Sequence, residues 1–115
     1  MNFKIQGKKM KITIENLESS RKITLNVEKF DVGNMQEIKK EIQKVLEDCV
    51  TDVMVDLSSV TFVDSSGLSV LIAIFKQLKS IDKKLILTGL QEQPMELLEI
   101  TQLHKVFTII ENSNS

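Results

Sequence analysis

The feature that most constrains this chain is a change of hydrophobic period at residue 64. Ahead of it stand Val53-Met54-Val55-Asp56-Leu57 and Val60-Thr61-Phe62-Val63, short apolar and β-branched runs of the kind that fill a strand covered on both faces. Behind it Leu68, Leu71, Ile74, Phe75 and Leu78 return every three or four residues, the stripe of an amphipathic helix. Between them, Val63-Asp64-Ser65-Ser66-Gly67-Leu68 reads as a buried strand that turns straight into a helix. In open α/β sheets such junctions meet ligands and partners, because the helix start offers unpaired N–H groups and partial positive charge. Read alone, Asp64, Ser65 and Ser66 are capping residues: a short oxygen-bearing side chain before an apolar-periodic run satisfies orphan amides.

The flanking segments extend this α/β pattern. Met10, Ile12 and Ile14 alternate with polar neighbours, as do Ile23, Leu25 and Val27 beyond the polar turn Glu18-Ser19-Ser20, which predicts an antiparallel hairpin with one wet face. Met35, Ile38, Ile42, Val45, Leu46 and Cys49 share one side of a predicted first helix, opposite Lys39, Lys40, Glu41, Lys44 and Glu47. Residues 53–57 supply a central strand and residues 85–87 another. Pro94 suits the first turn of a third helix, with Met95, Leu97 and Leu98 facing inward. Residues 106–110 are the expected last strand. The order β-β-α-β-α-β-α-β implies a mixed sheet with helices packed against it. At 115 residues this is one domain, 1–115, with flexible ends expected at about 1–8 and 111–115.

Composition removes several function classes. Fifteen Lys and Arg against sixteen Asp and Glu give no electrostatic reason to expect nucleic acid. The clusters Lys8, Lys9, Lys11 and Lys39, Lys40, Lys44 carry no interleaved aromatics to stack bases and read as solvated faces. Cys49 is the only cysteine, so neither an intramolecular disulfide nor a cysteine-based metal site can form. No run approaches the ~20 apolar residues of a membrane span, and residues 1–7 lack a signal-peptide core, so a cytoplasmic protein without membrane insertion is expected. An enzyme is not expected either. There is no Gly-x-Ser-x-Gly elbow around Ser65 and no phosphate-binding loop, and Gly67 stands alone. The single histidine, His104, reads as a loop or helix-end residue, and Asp31, Asp56 and Asp64 are scattered carboxylates without histidine partners. No catalytic residue, cofactor or metal is therefore assigned.

The seventeen-residue run from Val55 to Leu71, Val-Asp-Leu-Ser-Ser-Val-Thr-Phe-Val-Asp-Ser-Ser-Gly-Leu-Ser-Val-Leu, closely resembles the signature of STAS domains, the family of bacterial anti-sigma factor antagonists and of transporter tails. Phe30-Asp31-Val32-Gly33-Asn34 is similar to that family's loop before the first helix. Leu85-Ile86-Leu87-Thr88-Gly89-Leu90 resembles its fourth strand, and Leu103-His104-Lys105-Val106-Phe107 the segment leading into its last strand. Two glycines usual in the family are missing: Glu28 stands before the first loop, and the turn after the second helix reads Ser80-Ile81-Asp82-Lys83-Lys84.

The resemblance implies that Ser65 accepts phosphate and that Asp31, Asn34, Asp64, Ser66, Gly67 and Leu68 form a partner-binding switch surface. Gly67 would let a partner backbone come close, and Leu68 would serve as an apolar anchor or as core. The implied partners are an anti-sigma factor that is also a serine kinase of the histidine-kinase-like ATPase fold, and an opposing serine phosphatase. Unphosphorylated, the chain would bind that kinase and release a sigma factor. The alternative is a stand-alone STAS subunit of a membrane transport complex or larger signalling assembly.

Overall fold

Alternating apolar residues in three runs build the centre of the sheet in a computed structural model, which describes residues 11–110. β1 (Ile12–Asn16) and β2 (Ser20–Leu25) form the expected antiparallel hairpin. β4 (Asp52–Asp56), β6 (Leu85–Thr88) and β7 (Thr108–Ile110) then continue parallel from β2, in the order β1-β2-β4-β6-β7. The register sets Ile23, Val55 and Leu87 in one row across the sheet and Val53 beside Leu85, all five essentially inaccessible to solvent. Each such side chain contributes about 1.5–3 kcal/mol on burial.

Three helices contribute buried residues to the same core. α1 (Met35–Leu46) buries Ile38, Ile42 and Leu46; α2 (Ser65–Lys79) buries Leu68, Val70, Leu71, Ile74 and Leu78; α3 (Glu92–Ile100) buries Pro94 and Leu98. Met35, Val45, Phe75 and Leu97 pack against the core while half-buried, and Met95 is likewise only half-buried. Pro94 occupies the first turn of α3, where its missing N–H costs nothing.

The structure corrects several expectations. β4 is buried on one face only: Met54 stays half-buried beside Lys22, and Lys22 reaches across to Asp56 at 3.6 Å. The run at 60–63 is not a sheet-spanning strand. Leu57 and Val60 are buried in a turn, and only β5 (Phe62–Val63) is extended, paired in parallel with β3 (Lys29–Phe30), an element unseen in the sequence. Together they form a two-stranded ribbon apart from the main sheet. α1 ends at Leu46, so Cys49 lies beyond it, buried, its N–H bonded to Leu46 O at 3.2 Å. Residues 103–105 form a 3₁₀ turn, leaving a final strand of three residues. Ile14 is exposed although it alternates in phase with Ile12, since it lies on an edge strand. Met10 and the expected flexible ends lie outside the described residues. The glycine-free turn after α2 is closed by Asp82, which takes the left-handed backbone itself at φ 63°.

Candidate functional site

Asp64 is the link between β5 and α2, and its carboxylate works in two directions. It stands at the N-cap of α2 in extended backbone, and Oδ1 accepts the N–H groups of Ser66 at 2.8 Å and Gly67 at 3.0 Å. Oδ2 accepts the N–H of Val32 at 3.2 Å, from the loop before α1. One side chain therefore caps the helix and ties a second loop to it.

That second loop is held by its own polar residues. Asp31 Oδ1 accepts the Gly33 N–H at 3.0 Å. Asn34 Oδ1 accepts the Asp31 N–H at 3.2 Å, while its Nδ2 donates to Lys29 O at 2.7 Å. Asp31 and Asn34 thus fold the loop locally, and the bond to Asp64 docks it. Val32 is carried at its tip, 73% exposed.

Ser65 opens α2 and is exposed; Ser66 is half-buried, and its carbonyl accepts the Ser69 hydroxyl at 2.7 Å. Gly67 and Leu68 turn inward. A Cβ on Gly67 would lie 2.3 Å from Phe30 O, so the close backbone approach anticipated for a partner is made by β3 of the same chain. Leu68, 7% exposed, is part of the core. Of the six residues expected beside Ser65 on the switch surface, Asp31, Asn34, Asp64 and Ser66 retain partial exposure around it, and Gly67 and Leu68 instead position it from within.

Asp56 belongs to a different cluster. Burial pushes its carboxyl up, but hydrogen bonds from the Ser58 N–H at 2.9 Å and the Ser58 side chain, with the nearby Lys22 ammonium, outweigh that and hold it below the ordinary carboxylate value. His104 sits in the 3₁₀ turn, a ring nitrogen 3.4 Å from Leu98 O.

Two residues at the site were not foreseen. Val32 lay within the loop noted in the sequence, and an apolar residue between Asp31 and Gly33 was the signal available. Gln93, in the first turn of α3, accepts the Val63 N–H at 2.8 Å and donates to Val63 O at 2.9 Å, immediately before Asp64. A side chain bonding to backbone thirty positions away leaves no pattern in a sequence.

The fold agrees with comparisons against known proteins. The STAS domain family model matches residues 11–115, and the chain belongs to that family. Among relatives, an anti-sigma-B factor antagonist of Staphylococcus aureus is 29% identical over 84 residues, 73% of this chain and 78% of that protein. In structure, the chain is similar to an anti-sigma-factor antagonist (STAS) domain protein from Planctomyces limnophilus, with a TM-score of 0.81 and 17% identity over 90% of this chain and 91% of that one. It is also similar to the Bacillus cell fate determinant SpoIIAA in its phosphorylated form, with a TM-score of 0.69 and 16% identity over 89% and 91% of the two chains.

Proposed function

We propose that this chain is a phosphorylation-switched binding module, an anti-sigma factor antagonist rather than an enzyme, with Ser65 as the phosphate acceptor. The observation that carries this reading is the exposed Ser65 hydroxyl at the first position of α2, beside an aspartate already committed to the helix amides. In the unphosphorylated state the chain binds an anti-sigma factor that is itself a serine kinase of the histidine-kinase-like ATPase fold, and so frees a sigma factor in the cytoplasm. A serine phosphatase restores that state. The name of the Staphylococcus relative and the phosphorylated Bacillus structure support this assignment.

Phosphate on Ser65 adds about −1.5 to −2 charges at the surface. The helix N-terminus tolerates negative charge, by roughly 0.3–1 kcal/mol, so the fold stands. The docking face formed by Ser65, Ser66, Asp31, Asn34 and exposed Val32 does not: a partner fitted to the neutral face meets charge and bulk beside the Asp64 carboxylate.

Co-purification from native lysate, followed by intact-mass analysis with ATP, tests the proposal. The expected companion is a small ATPase-kinase, which phosphorylates the wild type and Ser66→Ala but not Ser65→Ala. Modification of Ser65→Ala overturns it. Recovery of transporter subunits as the main companion favours the constitutive-subunit alternative.

A further inference from the structure

We propose that Gln93 is a positioning residue of the Ser65 site, acting through the open edge of β5. β5 is two residues long and has one strand neighbour, β3. Its other edge would leave the N–H and C=O of Val63, a residue only 2% exposed, facing away from any strand. Backbone groups buried in this way demand partners. The Gln93 carboxamide supplies both, accepting at 2.8 Å and donating at 2.9 Å, as the backbone of an adjacent strand would.

The consequence extends beyond Val63. Asp64 follows directly, caps α2 and holds Val32, so the position of Ser65 against the 31–34 loop depends on where β5 is fixed. α3 secures the preceding turn at its other end as well: Gln91, the N-cap of α3, donates from Nε2 to Ser58 O at 2.7 Å. Pro94, buried next to Gln93, fixes the backbone from which the clamp reaches. Thus α3 carries no residue of the docking face itself, yet it sets the geometry of that face. This role rests on the reading of Ser65 as the switch.

The test uses the ¹⁵N-labelled full chain as wild type, Gln93→Ala and Gln93→Glu, with amide hydrogen exchange followed by NMR. In Gln93→Ala the Val63 amide should exchange at least tenfold faster, and those of Val32, Ser66 and Gly67 several-fold faster. Val53 and Val55 in β4 should stay within twofold of wild type. Gln93→Glu keeps an acceptor for the Val63 N–H and should retain most of that amide's protection. With the ATPase-kinase recovered by co-purification, kcat/KM for phosphorylation of Gln93→Ala should fall about tenfold, and Gln93→Glu should recover part of it. Faster exchange confined to Val63, or spread equally to Val53 and Val55, overturns the proposal by reducing Gln93 to an edge closure or a general stabiliser. A wild type that takes no phosphate on Ser65 defeats the switch reading, while the exchange pattern still decides the part of Gln93.

Discussion

Gly67 is the residue at which this junction has least room. An added methyl would meet Phe30 O at 2.3 Å and the Phe30 carbonyl carbon and ring at 3.0 Å, backbone and core that cannot swing aside. Gly67→Ala should therefore cost about 1–3 kcal/mol in chemical denaturation, as overpacking does. Asp64 separates two roles cleanly. Asp64→Ala removes the cap and should cost ~0.5–2 kcal/mol, whereas Asp64→Asn keeps one oxygen for Ser66 and Gly67 and should cost much less. Asparagine has only that one acceptor, so its amide group faces the Val32 N–H that Oδ2 now accepts. Amide exchange in Asp64→Asn should speed at Val32 and stay slow at Ser66 and Gly67; unchanged Val32 exchange would show that the loop is docked by other contacts.

At the scale of elements, the chain past β6 passes close to the end of β4 at one glycine and one carboxylate. Gly89, just past β6, has φ 72°, and a Cβ there would come within 2.9 Å of Asp56 Oδ1 and of Ser58. Gly89→Ala should lose about 1–2 kcal/mol from the left-handed backbone alone and more from the contacts. Asp56 links the same corner to pH. Its folded carboxyl titrates below its unfolded one, so its contribution is full above the ordinary value of 3.8 and disappears as pH falls through the lower folded value. Thermal melts of wild type and Asp56→Asn should show a larger acid-induced loss in the wild type below about pH 4; equal losses would mean that Ser58 and Lys22 do not favour the carboxylate.

For the molecule as a whole, the relevant quantity is how little the fold must change to switch. Ser65 is exposed at the start of a 15-residue helix whose amides at Ser66 and Gly67 already belong to Asp64. Ser65→Asp should accordingly melt within a few degrees of wild type and yet lose the kinase partner. A hundredfold weakening, ~2.7 kcal/mol, is enough to change occupancy at modest concentration. Calorimetric titration and melts of wild type, Ser65→Ala and Ser65→Asp measure both sides: tight binding by Ser65→Asp, or its collapse on heating, would exclude an interface mechanism.

Local pattern by itself determined the helices, the hairpin and the strand-to-helix junction, because burying one face imposes a period that a sequence displays directly. The run 55–71 marked Ser65 and Asp64, and the order of the main elements followed from the succession of periods along the chain. The tertiary structure alone decided which residues at the junction face outward. Gly67 and Leu68 stand beside Ser65 in the chain, but a helix turning about 100° per residue carries them under β3 and into the core. The β3–β5 ribbon, two residues on each side, is too short to show a period, and its open edge is closed by Gln93, which reaches Val63 from a distant part of the chain. Periodicity records how a segment meets the core as a whole; which backbone a given side chain bonds to depends on how those segments come together in space.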